Sequence, residues 1–264
     1  MSQSKFESII NELVSHSSCG EIKEVYNDLL TITGENSKST ILDAIEQYNI
    51  SNAVPVDLEG RFVIISKYNK EGSKFFDPKT SNLFSVDHLN LISLDIEKSE
   101  NKLTDEQETI DKELLEYSQT DFPGDITYGV FSVPGEPNKT AILISCNRYN
   151  TANFWTGRWK SEYIYDNESK SLQGSIDVQV HYYEDGNVKF KSTEEFNESN
   201  VSSVVDKIKE LEKNFERQLD NSFTDLNENQ FKQLRRRLPV TRSKVNWGKA
   251  IGNYRLGKNA VEGN

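Results

Sequence analysis

The sequence predicts an α+β fold, from three observations. Over the first fifty residues the apolar side chains recur at helical spacing. From residue 53 onward they fall into short runs, alternating or continuous, separated by turn clusters. The charge is split as well. Residues 229–264 hold nine bases against one acid, a net +8, while the rest of the chain holds 22 bases against 41 acids, a net −19. A strongly acidic body that carries a basic tail is the pattern of an interaction tail.

The expected order is a three-helix antiparallel bundle (1–50), a short-strand region (51–100), an antiparallel sheet with flanking helices (101–222) and a basic docking tail (223–264). Together they make one compact body plus a tail. In the bundle, Phe6, Ile9, Ile10 and Leu13 form one helical stripe. Ile22, Val25, Tyr26, Leu29 and Leu30 form a second, and Ile41, Ala44, Ile45 and Tyr48 a third. The short breaks at 17–20 and 34–37 require neighbouring helices to run antiparallel. Short strands follow at 54–56, 62–65, 75–76 and 83–86. A helix is predicted at 104–120, where Thr104 and Gln107 have capping-box spacing and Phe122-Pro123-Gly124 ends it.

Five longer strands between about 126 and 196 make the meander. Residues 140–146 are nearly all apolar or small, as a strand covered on both faces requires. Residues 176–183 alternate, with Ile176, Val178, Val180 and Tyr182 on one side and Asp177, Gln179, His181 and Tyr183 on the other. The Asp185-Gly186 pair then turns the chain. A long helix at 200–221 carries the stripe Val201, Val204, Val205, Ile208, Leu211, Phe215 and Leu219, with Glu212 among the residues facing elsewhere. It is expected to cover one face of the meander.

Several function classes are disfavoured. No run approaches the ~18 apolar residues of a membrane helix, and the N-terminus lacks the pattern of a secretory signal. Cys19 and Cys146 make no disulfide framework, so the chain reads as a soluble protein of a reducing compartment. Phosphate-loop, dinucleotide, nucleophile-elbow and zinc-protease motifs are all missing, and no cofactor or metal is expected. His181, sharing a face with Asp177 and Tyr183, has the composition of a proton-transfer pair, but a polar strand face explains all three residues without catalysis and is the preferred reading. The stretch Phe154-Trp155-Thr156-Gly157-Arg158-Trp159 could form an aromatic platform, although core packing is the expected fate of at least one of its tryptophans. An enzyme therefore has no motif behind it.

The tail is the informative part. Residues 225–238 have helical spacing, with Leu226, Phe231, Leu234 and Leu238 as anchors, and Pro239 must end or bend that helix. Beyond it, Val245, Trp247, Ile251, Tyr254 and Leu256 lie among bases, a composition suited to an acidic surface with apolar pockets. On charge alone three readings remain open: the tail lies on the chain's own acidic body and neutralises it, it meets an acidic protein surface, or it meets an anionic lipid or nucleic acid through Arg235-Arg236-Arg237. The −19 body opposes nucleic acid.

The run from Phe231 to Trp247, FKQLRRRLPVTRSKVNW, resembles the C-terminal signature of the F-actin-capping protein alpha subunit family. Val180-His181-Tyr182-Tyr183-Glu184-Asp185-Gly186-Asn187-Val188 is similar to that family's other signature. The blocks 153–159, 122–125 and 74–78 are similar too, over essentially the whole chain and in the same order, and the character is closest to the fungal members. The resemblance implies an obligate heterodimer with a beta subunit of similar fold, the two sheets joining into one. It implies calcium-independent binding to the barbed end of actin filaments, blocking subunit addition and loss, in the cytoplasm at cortical actin patches. It also implies that Lys232, Arg236 and Arg242 contact actin, with Arg235, Lys244 and Trp247 in the same block. Arg237 departs from the animal pattern. Phosphatidylinositol bisphosphate, an inhibitor of the family, is a further implied partner for the tail.

Overall fold

The computed structural model describes residues 3–100, 102–121, 126–184 and 187–225. The expected tail helix, the Asp185-Gly186 turn and the Phe122-Pro123-Gly124 stop lie outside them. The chain divides at Lys209/Glu210 into two units.

In the first unit, α1 (Gln3–Ser15), α2 (Ile22–Thr33) and α3 (Lys38–Ser51) share one core, in which Ile10, Val14, Tyr26, Leu29, Ile41 and Ile45 are buried. The α1 stripe is shifted from its expected position: Val14 is buried and Leu13 is half exposed. Ile10 and Val14 stand one turn apart, so both Leu13 and Val14 continue a helical pattern. Only the position of α3 decides between them.

Six short strands follow, β1 (Pro55–Leu58), β2 (Arg61–Ile64), β3 (Lys70–Glu71), β4 (Lys74–Asp77), β5 (Asn82–Asp87) and β6 (Ile92–Lys98). They form one sheet in the order β2-β1-β6-β5-β4-β3. One face of it closes on Val56, Leu58, Val63, Phe75 and Phe84. Asn69, fully buried, donates to the carbonyls of Ile64 and Phe76 and accepts from the Ser66 amide, which ties the loop after β2 to β4. A buried amide side chain with so many partners fixes a loop that the backbone ladder cannot reach.

The helix α4 (Asp105–Thr120) opens with the predicted capping box: the Gln107 amide donates to Thr104 Oγ1 and the Thr104 amide to Gln107 Oε1. The meander β7 (Ile126–Val133), β8 (Glu136–Asn150), β9 (Trp155–Asp166), β10 (Ser171–Tyr182) and β11 (Val188–Glu198) is antiparallel throughout, in sequence order. Thr140 to Ser145 of β8 are all buried, so both faces of that strand are covered, as their composition requires. One face meets the short-strand region through Phe131, Ala141, Leu143, Ile64 and Tyr68. The other meets α4, where Gln107 Nε2 donates to Ser132 Oγ.

The last described element, α5 (Val204–Asp225), spans the division between the units. Its first turns are fixed within the first unit. Val204, Val205 and Ile208 are buried, Lys207 pairs with Glu198 of β11, and the Lys209 ammonium lies over the Tyr117 ring. Leu211 and Phe215 of the second unit are buried, as their stripe predicts, but so is Glu212, which the charge pattern had placed on the outer face.

Candidate docking surfaces

The central strand β9 organises the molecule. Its even-numbered side chains, Thr156, Arg158, Lys160, Glu162 and Ile164, stand in a row on the face toward the N-terminal half, because a strand repeats every second residue. Arg158 and Lys160 grip α3, and Glu162 grips the loop after β2. Arg158, 4 % exposed, donates to the Tyr48 hydroxyl of α3 at 3.3 Å and lies over that ring. Lys160 donates to the Ser51 carbonyl at the end of α3. Glu162 accepts from the Tyr68 hydroxyl at 2.6 Å and pairs with Lys67 and Lys160 at 3.0 and 3.2 Å. Burial pushes the Glu162 carboxyl up, but the Tyr68 hydroxyl and the two ammonium groups outweigh it and hold the pKa at about 2. Burial, then the Glu162 charge, push Tyr68 up to about 12. This polar row is structural: it seats the bundle and the small sheet on the meander.

His181 belongs to the same seam. Its buried ring meets Glu21 at 2.5 Å through Nδ1 and Asn187 at 2.9 Å through Nε2, and it lies against the Tyr183 ring. The carboxylate that holds it comes from the start of α2, 160 residues away, and Asp177 instead accepts from Gln179 and Thr193. Both nitrogens of His181 are engaged in holding α2 and the end of β10 together, so the proton-transfer reading of the His181–Asp177 face has no geometry to support it. Among the described residues there is no group of metal-ligating side chains.

The odd-numbered side of β9 is half open at Trp155, Gly157 and Trp159, and buried from Ser161 through Tyr163 to Tyr165. The register aligns Trp155 with Tyr182, Gly157 with Val180 and Trp159 with Val178, and on β11 it sets Val188 and Phe190 beside Tyr182 and Val180. These side chains form a half-covered slab of aromatic and branched groups, and Val188 is 60 % exposed. Neither Trp155 nor Trp159 is fully buried, against the expectation that one would be core. Of the stretch 154–159, Phe154 is exposed and stacks edge-on against Tyr183, whereas Arg158 is buried under Tyr48. The expected platform is thus split between two faces, because successive strand residues point opposite ways. Beside the slab, β11 pairs among the described residues only with β10, and no residue of β11 is fully buried. A long edge strand next to a half-covered apolar face is a place for another chain to add.

The tail residues Lys232, Arg235, Arg236, Arg242, Lys244 and Trp247 lie outside the described residues. What precedes them is α5, whose part in the second unit carries Glu210, Glu212, Glu216, Asp220 and Asp225 against Lys213 and Arg217. The acidic helix and the basic segment therefore adjoin along the chain. No sequence signal other than the partner strands themselves could have found Glu21 for His181 or Tyr48 for Arg158.

Among the described residues the antiparallel sheet is open at its β11 edge and its polar side chains are engaged in internal seams, an arrangement suited to a binding protein. The comparisons with known proteins agree. The family model described as F-actin capping protein alpha subunit matches residues 10–259, a stretch that includes the basic tail. The chain is 57 % identical over 267 residues to the F-actin-capping protein subunit alpha of Saccharomyces cerevisiae, covering 100 % of both, and 54 % identical to that of Candida glabrata, covering 98 % of both. Its fold is similar to the solved homodimeric actin capping protein alpha subunit from Plasmodium berghei, with a TM-score of 0.73 at 23 % identity over 90 % of this chain and 98 % of that one. The chain belongs to the F-actin capping protein alpha subunit family.

Proposed function

We propose that this chain is the alpha half of a heterodimeric capping protein, which binds the barbed end of actin filaments without calcium and blocks subunit addition and loss. The observation that carries the reading is full-length similarity to curated alpha subunits, with the matched stretch running through the basic tail. The partner is a beta subunit that adds its own sheet at the open β11 edge and covers the Trp155–Trp159–Phe190 slab. Burying such a face offsets the cost of leaving it in water, at about 25 cal/mol per Å² of apolar surface.

Lys232, Arg235, Arg236, Arg242 and Lys244 of the tail make the electrostatic contact with acidic actin, and Trp247 makes an apolar one. The net +8 of residues 229–264 steers that encounter, within a screening length of roughly 8 Å at physiological salt. Phosphatidylinositol bisphosphate competes for the same bases, each worth about 1 kcal/mol near an anionic membrane. The protein works in the cytoplasm, at cortical actin, as a binding protein without catalytic turnover.

Seeded barbed-end elongation tests the reading. The chain co-expressed with its beta subunit should arrest elongation substoichiometrically. The variant Lys232→Ala, Arg236→Ala, Arg242→Ala should stay dimeric and cap about a hundredfold more weakly, an average of roughly 1 kcal/mol per lost charge. A folded heterodimer with no effect on elongation refutes capping. Undiminished capping by the triple variant moves the actin site away from the tail.

A further inference from the structure

The outer face of the six-stranded sheet is only half used. Register puts Phe62, Asp57, Ile92, Asp87, Leu94 and Ser85 on that face, opposite the core of Val56, Val63 and Phe84. Farther along the same face, Ile64 and Phe76 are covered by Phe131 and Ala141 of the meander. Phe62, Ile92 and Leu94 are left 59, 43 and 45 % exposed. Apolar side chains at alternate positions along one strand are a recognition pattern when nothing covers them.

The backbone of β6 is open at the same place. On the β5 side it is paired from Ile92 to Lys98, but on the β1 side the register holds a single pair, Asp57 with Ile92, and β1 ends at Leu58. Residues 94–98 are all exposed and, among the described residues, have no strand on that side. Asp95, at a φ of +48°, bulges the strand where its register with β5 shifts.

The charge around this edge is one-sided. Both neighbours of Ile92 across the sheet are aspartates, Asp57 and Asp87, and Glu59, Asp95 and Glu100 lie close along the chain. Among the described residues none of these five carboxylates has a cation within ion-pair distance. The nearby Arg61 and Lys74 are already paired with Asp77 and Glu97, and Lys98 donates to Asn82.

We infer that the Ile92–Lys98 edge is a docking site for an extended segment of another protein, one with apolar residues at alternate positions and Lys or Arg between them. An open row of backbone donors and acceptors selects a strand rather than a helix. Phe62, Ile92 and Leu94 select apolar side chains at every second residue, and the unpaired carboxylates select basic ones. A second copy of this chain is disfavoured, because two such edges would set aspartates against aspartates and glutamates. The inference does not rest on the capping reading, since it uses neither the tail nor the β11 edge.

The test uses the full-length chain in the assembly it forms, and two synthetic peptides. One is acetyl-Lys-Val-Arg-Ile-Lys-Val-Arg-amide; the other replaces each base by Glu or Asp. Fluorescence anisotropy and amide hydrogen exchange should show that the basic peptide binds saturably and protects amides 94–98, while the acidic one does not. The pair Ile92→Thr, Leu94→Thr retains strand propensity and should weaken binding about tenfold or more. The pair Asp57→Asn, Asp87→Asn keeps the turn acceptors that hold the Gly60, Leu89 and Asn90 amides and should weaken binding several-fold, with a flatter salt dependence. Seeded elongation by both variants should match that of the unsubstituted protein. Binding of the two peptides alike, unchanged binding by the Thr pair, or protection, before any peptide is added, of those amides in 94–98 that face away from β5 would overturn the inference.

Discussion

Strands β8 and β11 belong to one sheet, run antiparallel to their neighbours and are of similar length, yet they are differently finished. In β8, Thr140 to Ser145 are buried on both faces, between α4 on one side and the short-strand region on the other. In β11 not one residue is fully buried, and Val188 is 60 % exposed. The chain completes the centre of its own sheet, whereas among the described residues nothing pairs with the outer side of β11. Substitutions in the two strands should therefore have opposite signatures, one in stability and the other in assembly.

The largest effect should come from the centre. Ile142→Ala removes a fully buried side chain from β8 and should cost about 2–5 kcal/mol, read as a lowered denaturant midpoint. Phe190→Ala on β11 should cost less than about 1 kcal/mol in the isolated chain but loosen the heterodimer by about tenfold, read by sedimentation. Equal losses of stability for the two would erase the distinction.

Acid sharpens the comparison at the strand between them. The Glu162 carboxyl is held at about 2, below its ordinary value of 4.5, so its contribution is full above about pH 5 and is lost as the pH falls toward 2. Its loss amounts to at most about 3 kcal/mol, less what solvent screening removes. Glu162→Gln should flatten the stability–pH curve in that window. If the unsubstituted and Gln proteins show the same acid slope, the Tyr68–Glu162–Lys67 seam contributes nothing.

Gly174 of β10 faces Tyr163, and a Cβ there would lie 2.4 Å from the Tyr163 ring and 2.5 Å from the Glu162 carbonyl oxygen. That oxygen is backbone and cannot swing aside, so Gly174→Ala should cost about 1–3 kcal/mol in thermal unfolding. Gly157, the neighbouring strand glycine on the open slab, has nothing closer than 3.6 Å, and Gly157→Ala should be nearly neutral. A small loss is expected at α4, where Thr104→Ala removes one half of the capping box and should cost about 1 kcal/mol, with the sheet unaffected.

Much of the fold was legible because its signals are local. Helical spacing located α1 to α5, the Thr104–Gln107 pair located the start of α4, and the nearly all apolar or small run 140–146 marked a strand that is buried on both faces from Thr140 to Ser145. The misreadings share a cause. Leu13 and Val14 both fit a helical stripe, Glu212 looked like solvent-facing charge, and the stretch 154–159 looked like one aromatic platform although Arg158 within it is buried. In each case burial depends on what stands opposite, which no spacing encodes. The candidate tail was legible in a different way, from nine bases against one acid and from the run Phe231 to Trp247.

By itself the sequence determined the helices, the meander, the acid–base division of the chain and the family to which it belongs, because propensity, periodicity, charge and motif are properties of neighbours along the chain. Only the tertiary structure decided that His181 is held by Glu21 and not Asp177, that Arg158 sits under Tyr48, and that β6 and β11 keep open edges. Those outcomes join residues as far as 160 positions apart. Polar groups taken out of water must find partners wherever the packing has brought them, and a strand edge stays open wherever no other segment arrives to close it.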